Sequence, residues 1–359
     1  MIKIGKLNIS KKNLIIIGVV ILIVIGGILL LTRDSGKGLF YNPDKNIKIV
    51  KSEASKIKLE DYKTNEFSIK IPKGWKVDTL GDYIHYTIKV YNPDKPLYQF
   101  FLNMKTEGYN KSEDAKRWQQ KYYPNDMFAK TSVIATKDTE GFYKIFNDLG
   151  TLNNTAAFTF PTLTDFTVSE NLGKGSLGGD ILRATFKDAN GEEGEGIFTA
   201  YVYDVGTYYV YENIISGKQI DIQYLSVYDT IFITTPKDEF IDWEDTLNTI
   251  CSSLSFTDTF INGFNNEQDA VMKNFQQIRA IGNEISDGIM DSWDKRNTSF
   301  DIMSQKQSDA TLGYERVYDT ETNEIYKAYN GFTDEYDGER YKPVTDNMYL
   351  EKTSGYIEK

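Results

Sequence analysis

The sequence predicts an α+β protein that combines an N-terminal transmembrane helix, an antiparallel sheet covered by helices, a long helix and a small C-terminal β-hairpin unit. Three observations predict this architecture. An uncharged apolar run lies near the amino terminus, and many strand-like runs with alternating apolar residues follow it. A stripe of apolar residues at helical spacing then precedes a tyrosine-rich tail.

The composition limits the chemistry that the chain can perform. It has 359 residues, 40% of them hydrophobic, and a formal net charge of −11. This acidity disfavours contacts with nucleic-acid phosphates, so we expect no nucleic-acid partner. The one cysteine, Cys251, cannot close an intrachain disulfide. With a single histidine, His85, the chain also lacks the usual ligands of a zinc or transition-metal site, and we expect no cofactor.

His85 is also the one histidine available to a serine or cysteine nucleophile. It lies in the apolar and aromatic run DYIHYTIKV, without a motif partner. We therefore predict a packed or hydrogen-bonded structural histidine, and no catalytic residue.

The uncharged run extends from Leu14 to Leu31. At about 1.5 Å per residue it spans roughly 27 Å, enough for a slightly thin bilayer core. A cleaved signal peptide is the alternative, but its apolar region is usually shorter and ends at a small-residue site. We predict a cytoplasmic arm at 1–13 and a membrane anchor at 14–31 that contacts the lipid bilayer.

Basic residues flank both ends of this span, so their count does not fix its orientation. Lys11 and Lys12 directly precede the span, as in a signal-anchor, and long domains translocate largely regardless of charge. We predict a single-pass plasma-membrane protein with a cytoplasmic amino terminus and an extracytoplasmic C-terminal domain. The abundance of Ile, Lys and Asn is typical of a Gram-positive bacterium.

Residues 32–61 are polar and rich in turn formers, which predicts a tether with a short strand at NIKIV. Residues 62–258 form the predicted α+β domain. Its strand-like runs are EFSIKI, YIHYTIKVY, LYQFFLNM, DILRATF, GIFTAYVYD, TYYVYENI and YDTIFITTP. The segment KDANGEEGEG predicts a hairpin loop, and Ser112 is placed to cap a helix.

A helix closes this domain after Pro236. Its apolar residues recur at helical spacing, and they are Phe240, Trp243, Leu247, Ile250 and Leu254. The stretches FSIKIPKGWKV and ITTPKDEFIDWEDTLNTICSSLSF at the two ends of the domain resemble the PsbP-like family. The resemblance implies a partner-binding α-β-α sandwich, often extracytoplasmic, without a shared catalytic site. It makes Trp75 and Pro236 structural residues, and it transfers no functional residue.

Residues 265–308 predict a long helix with an apolar stripe near coiled-coil spacing. Two interpretations remain open for the stripe. The helix packs on the sheet domain, or it forms a seam between copies of the chain and makes a homo-oligomer.

Several motifs resemble known sites without the context that those sites need. The glycines of Gly173 to Gly178 precede a strand-like run, whereas a dinucleotide site needs a helix there. Ser55 and Lys58 lack the companion motifs of a serine hydrolase. Acidic side chains near the hairpin loop have calcium-type oxygens but not the EF-hand spacing, and they are Asp188, Glu192, Glu193 and Glu195. A pair of carboxylates for glycoside hydrolysis remains open.

The tail, 309–359, predicts a β-hairpin in ERVYDTETNEIYKAY, with Asn323 at a left-handed position of its loop. Eight tyrosines lie between Tyr314 and Tyr356. They either supply the core of a small unit or form a recognition surface, because tyrosine offers contact area at low entropic cost. The candidate partner surface consists of Tyr314, Arg316, Tyr318, Tyr326, Tyr329, Phe332 and Tyr336.

Two functions follow as expectations. The first is a membrane-anchored extracytoplasmic binding or scaffold protein that presents a PsbP-like domain to a cell-envelope partner, either an envelope protein or a wall glycan. The alternative is a cell-wall glycosidase that uses two carboxylates.

Overall fold

A computed structural model describes residues 2–4, 7–9, 42–175, 178–213, 215–267 and 298–359. The predicted anchor, 14–31, lies outside these ranges, as do residues 268–297 of the predicted long helix. Within the described ranges, no helix is both long enough and apolar enough to cross a membrane.

The described strands are short at the chain ends and long in the middle. They are β1 (Ile2–Ile4), β2 (Leu7–Ile9), β3 (Lys48–Lys51), β4 (Leu59–Lys63), β5 (Phe67–Pro72), β6 (Lys76–Leu80), β7 (Thr87–Tyr91), β8 (Gln99–Asn110), β9 (Thr164–Lys174), β10 (Asp180–Lys187), β11 (Glu193–Asp204), β12 (Tyr209–Asn213), β13 (Lys218–Asp221), β14 (Tyr224–Pro236), β15 (Ser255–Phe256), β16 (Tyr314–Asp319), β17 (Ile325–Tyr329), β18 (Tyr341–Pro343) and β19 (Thr353–Glu358).

Helices occupy the connections between these strands. They are α1 (Glu53–Lys56), α2 (Glu113–Tyr122), α3 (Met127–Lys130), α4 (Thr139–Tyr143), α5 (Asn147–Asn153), α6 (Phe240–Ser253), α7 (Asp258–Glu267), α8 (Thr298–Leu312) and α9 (Phe332–Glu335). The 3₁₀ turns are Pro43–Asn46, Tyr83–His85 and Asp346–Leu350.

Seven antiparallel strands form the main sheet, in the order β6-β7-β8-β14-β11-β10-β9. The 12 residues of β8 extend over about 40 Å at the usual rise of a strand. Gln99 pairs with Thr234 at one end of β8, and Asn110 pairs with Tyr224 at the other. These are called below the Gln99 end and the Asn110 end.

Each face of the main sheet has its own core, because alternate residues of a strand point to opposite faces. Phe100 and Leu102 of β8 belong to the first core, and Phe101 between them belongs to the second. The first core lies under α6 and the small sheet β15-β5-β4. The second lies under α4 and α5, and its aromatic rings include Phe142 and Tyr143. The sequence prediction of a mixed α+β fold with antiparallel sheets is confirmed.

Several local predictions are confirmed as well. The Ser112 side chain accepts a hydrogen bond from the Ala115 amide at 3.1 Å and caps α2. The five apolar residues predicted for the closing helix, at positions 240, 243, 247, 250 and 254, are all buried. β10 and β11 pair around the predicted hairpin loop, and Asn323 has φ 59°. His85 is a correction. It lies on a 3₁₀ turn and is exposed, so the packed alternative of the prediction is wrong, while the hydrogen-bonded alternative stays a prediction.

The two stretches that carry the PsbP-like resemblance meet in space. Phe67 of the first stretch pairs with Phe256 of the second, where β5 joins β15. The Trp75 ring stacks on the Trp243 ring of α6, with centroids 5.9 Å apart and an interplanar angle of 29°. Both tryptophans are buried.

The C-terminal unit is larger than the predicted hairpin. β16 and β17 form that hairpin, with Tyr314 opposite Tyr329 and Arg316 opposite Lys327. They lie inside a five-stranded sheet, β18-β16-β17-β19-β3, in which β17 and β19 run parallel. Its edge strand β3 comes from the other end of the described chain.

This pairing corrects the described part, 42–61, of the predicted tether at 32–61, and residues 32–41 lie outside the described ranges. The short strand expected at NIKIV is present as β3, but it pairs with β19 instead of standing in a free linker. β4 of the same segment pairs with β5 of the neighbouring sheet. The main-chain donors and acceptors of these residues are therefore used in ladders, which explains why the segment is not a simple tether.

Candidate functional site

The structure separates the seven residues of the candidate partner surface into two groups. Arg316, Tyr326 and Phe332 are buried, with 2%, 1% and 2% of their surface exposed, so they cannot contact a partner. The other four are half-buried, and they are Tyr314, Tyr318, Tyr329 and Tyr336. None of the seven is freely exposed. For the three buried residues the prediction of a surface position is wrong.

Arg316 holds helix α8 against the C-terminal sheet. Its Nε donates to Asp309 Oδ2 at 2.6 Å, and its guanidinium also donates to the Gln305 side chain and to the Tyr349 carbonyl. Its Cζ lies 5.0 Å from the centroid of the Tyr349 ring. Lys327 Nζ lies 3.7 Å from the second oxygen of Asp309. A buried guanidinium requires such partners, because an unpaired charge away from water is costly.

The aromatic residues of the other face form a small core. Tyr326, Phe332 and Tyr341 pack with Val317, Ala328 and Ile357. The Tyr326 hydroxyl donates to Glu324 and accepts from Lys51 Nζ at 3.2 Å. Of the two interpretations of the tyrosine-rich tail, its burial therefore favours the core of a small unit.

Exposed apolar side chains are concentrated elsewhere, at the Asn110 end of the main sheet. Ten large hydrophobic side chains are exposed among the described residues. Seven of them lie at this end, and we call them the aromatic end: Tyr122, Tyr123, Met127, Tyr208, Tyr209, Tyr211 and Ile215. Such a concentration is uncommon on a soluble surface and is typical of an interaction site.

A short hairpin carries four of these side chains. β12 and β13 leave the main sheet between β11 and β14 and pair only with each other, with Tyr209 opposite Asp221. Asn213 Oδ1 accepts hydrogen bonds from the Ile215 and Ser216 amides and so shapes the connection. Ile220 is buried, whereas Tyr208, Tyr209 and Tyr211 are 58 to 62% exposed. The hairpin therefore turns three tyrosines towards solvent.

A buried lysine fastens the hairpin to the sheet. Lys111 Nζ contacts Asp204, the Gly206 carbonyl and, at 3.1 Å, Asp221 Oδ2. The other oxygen of Asp221 accepts from the Tyr208 amide at 2.9 Å. The tyrosines thus project from a base that charge-assisted hydrogen bonds hold in place.

These contacts lower the pKa values of the two carboxylates at the base of the hairpin. Burial by itself would raise the pKa of Asp204, but the ammonium groups of Lys111 and Lys137 outweigh it and lower that pKa to about 2. Burial acts the same way on Asp221, and the amides of Tyr208 and Gln223 together with Lys111 lower its pKa below the usual range. Both carboxylates are therefore charged at neutral pH.

Helix α2 supplies the neighbouring part of the aromatic end. Lys218 of β13 contacts Asp114 of α2 at 3.3 Å and also pairs with Glu212, so the hairpin lies beside this helix. Tyr122 and Tyr123 follow at the end of α2, and their rings lie 5.0 and 5.5 Å from that of Trp118. Two separate elements therefore bring exposed rings to one end of the sheet.

Sequence reasoning treated TYYVYENI as a further strand of the main domain and missed this site. A signal was present. Tyr208 and Tyr209 are consecutive and Tyr211 is two positions further, so both faces of the run carry rings. Neither face is then the polar, solvent-facing side that a half-buried strand normally has. Glycines at 206 and 217 bracket the run. A strand with rings on both faces either has both faces covered by other elements or leaves one face exposed to solvent. Only the fold decides between these outcomes.

The motifs that the sequence analysis discounted have structural roles. The glycine loop, Gly173 to Gly178, joins β9 to β10, so no helix amino terminus follows it to bind phosphate. Glu193 pairs with Lys237 at 3.0 Å, and buried Glu195 accepts from the Phe240 amide at the start of α6. The part of the chain that the structure describes holds no group of three or more His, Cys, Asp or Glu side chains suited to a metal ion.

No family model matches the chain. No curated protein matches it either.

Proposed function

We propose that the chain is a membrane-anchored, extracytoplasmic binding protein without catalytic activity, and that its PsbP-like domain presents the aromatic end to a protein of the cell envelope. The observation that carries this proposal is the concentration of seven exposed apolar side chains at one end of the sheet. Tyrosine is enriched among the residues that dominate binding energy in protein interfaces.

The position of the aromatic end supports the proposal. β3 is the first described strand after the predicted anchor, and it pairs with β19. The Thr353 amide of β19 donates to Asp242 of α6 at 2.8 Å, close to where β14 leaves the Gln99 end. The first described residues after the predicted anchor are therefore at the Gln99 end, about 40 Å along the central strands from the aromatic end. An anchored chain can direct the aromatic end away from the bilayer.

Photocrosslinking in native membranes tests the proposal. A photoreactive amino acid replaces Tyr209 in one chain and Met303 of α8 in another, since both positions are strongly exposed. We expect one envelope protein to be captured from position 209 and not from position 303. In a further chain the photoreactive amino acid replaces Tyr208, and this chain should capture the same protein. Adding Tyr209→Ser and Tyr211→Ser to it should abolish the capture.

The matched control is Met303→Ser with Leu312→Ser, because these side chains are as exposed as the two tyrosines but lie on α8. The control should retain the partner. Equal capture from both positions would contradict the proposal. So would an absence of protein partners combined with release of sugars from purified wall, which would support the glycosidase alternative or a wall glycan as ligand.

The same pair of variants tests a second part of the proposal, self-association through the 265–308 helix. Met303 is an exposed apolar side chain of α8 within the predicted 265–308 helix, which supports a seam between copies. We expect wild type to sediment as an oligomer and Met303→Ser with Leu312→Ser to reduce its mass. The tyrosine variant should leave the mass unchanged. A wild-type monomer at high protein concentration would contradict the seam.

A further inference from the structure

A cleft of 470 Å³ lies near the Gln99 end of the main sheet. Its walls come from α1, from the turn after β5 and from the turn that follows β7. The stacked rings of Trp75 and Trp243 and the side chain of Ile57 provide its apolar lining. Lys56, Lys58 and Lys73 line it as well. The cleft therefore combines an apolar interior with a basic rim.

The three lysines of this rim are exposed. Across the described residues, no carboxylate lies within 4.0 Å of their ammonium groups. They are held near one another, because the Lys73 amide donates to the Lys58 carbonyl at 2.9 Å where β4 meets β5. The cleft contains two acids, Glu53 and Asp94, and Lys95 Nζ neutralises Glu53 at 3.0 Å. The net charge of the rim is therefore positive.

The surrounding sequence reinforces this charge. Residues 45–76 hold nine lysines and four acids, although the whole chain has a net charge of −11. The remaining sequence is more acidic than the chain average and would be repelled by an anionic surface. Residues 45–76 are also the part of the described chain that follows the predicted anchor most directly. Basic segments next to a membrane anchor are attracted to anionic lipid.

We propose that the cleft binds the phosphate headgroup of an anionic phospholipid in the membrane that carries the anchor. The headgroup pairs with Lys56, Lys58 and Lys73, and apolar parts of the lipid contact Ile57 and Trp75, which stacks on Trp243. This inference rests on the proposed membrane anchoring, and it adds a second, basic site to a chain whose first site is aromatic.

Lysine labelling in vesicles tests the site with the full chain. The protein is reconstituted in zwitterionic lipid with or without anionic phospholipid, labelled briefly with an amine-reactive reagent and mapped by mass spectrometry. We expect anionic lipid to slow labelling of Lys56, Lys58 and Lys73 at least about threefold, an effect that high salt reverses. Labelling of Lys121 and Lys130, which are exposed at the aromatic end, should not change.

Two charge-reversal variants provide the matched comparison. Lys56→Glu, Lys58→Glu and Lys73→Glu should lower the anionic lipid that co-purifies with the chain more than about tenfold. Lys116→Glu, Lys121→Glu and Lys130→Glu change the net charge by the same amount and should retain the lipid. Equal losses in the two variants would overturn the site, because they would show a response to net charge alone.

Three further outcomes are decisive. Unchanged labelling of the cleft lysines in anionic vesicles would overturn the proposal. Protection by added soluble polyphosphate, without any protection by anionic lipid, would overturn the lipid as ligand and indicate a phosphate polymer. Loss of the chain from native membranes in alkaline carbonate would instead overturn the membrane anchoring, and this result is distinguishable because it requires no cleft variant.

Discussion

The chain has two tyrosine-rich regions, one largely buried and one exposed to solvent. The tail places eight tyrosines between Tyr314 and Tyr356. Helix α8 packs on its sheet, and β3 forms an edge strand of that sheet. The run from Tyr201 to Tyr211 has five tyrosines, and its last three project into solvent from a two-stranded hairpin. Both regions are rich in tyrosine, so a high tyrosine content by itself does not identify a recognition surface.

What differs is the non-local structure around each region. Val50 of β3 lies opposite Tyr356 of β19, although the two residues are far apart in the sequence. Lys51 then reaches Tyr326 and Glu324 and completes the buried side of the tail. The β12-β13 hairpin has no comparable cover, since it belongs to neither large sheet. A tyrosine side chain is therefore buried or exposed according to which other elements of the chain pack against it.

The largest expected effect comes from one substitution made in each region. Tyr326→Ala removes a buried ring from the small C-terminal core and should lower the free energy of unfolding by about 3–5 kcal/mol. Tyr209→Ala removes an exposed ring and should change it by no more than about 0.5 kcal/mol. Urea-induced unfolding of the two variants gives the comparison. Equal losses in the two variants would show that the contrast in burial is wrong.

The sequence predicts local elements well in both regions. The alternation in ERVYDTETNEIYKAY gives the β16-β17 hairpin, and the apolar spacing after Pro236 gives α6. Ser112 and Asn323 are placed correctly because a cap and a left-handed loop position depend on neighbouring residues alone.

The sequence does not predict which surfaces are covered. NIKIV reads as a short strand in a tether, and nothing nearby reveals that its partner is β19. Burial of Arg316 depends on Asp309 and Gln305 of α8, and side-chain pairing across a helix and a sheet leaves no periodic signal. The sequence therefore predicts a partner surface on the covered tyrosines and a strand of the main sheet where the exposed hairpin lies.

A smaller effect is expected where β3 covers the tail. Gly355 of β19 approaches β3 so closely that a Cβ atom there would lie 2.1 Å from the Val50 carbonyl oxygen. Gly355→Ala should separate the two strands and cost about 1–3 kcal/mol. Limited proteolysis should then cut the chain near residues 48–58. Glu358→Ala, on the same strand, removes only an exposed ion pair with Lys48 and should leave the segment protected. A Gly355→Ala chain as resistant as wild type would show that β3 does not depend on this close contact.

The smallest effect is expected at the base of the exposed hairpin, and it depends on pH. The pKa of Asp204 is lowered to about 2 in the folded chain from an ordinary value of 3.8. The carboxylate therefore stabilises the fold above pH 3.8, and this contribution is lost as the pH falls through about 2. It should amount to less than about 1 kcal/mol, because 38% of the side chain is exposed and solvent screens the pair with Lys111.

Hydrogen exchange of the amides in β12 and β13 measures this loss. After correction for intrinsic rates, their protection should fall between pH 4 and pH 2 while that of β8 and β14 persists. Asp204→Asn should start with weaker protection at neutral pH and show a smaller fall, since Asp221 still titrates beside Lys111. Protection that is independent of pH in wild type would mean that the ionic base does not hold the hairpin. The exposed tyrosines would then owe their position to the buried Ile220 instead of to charge.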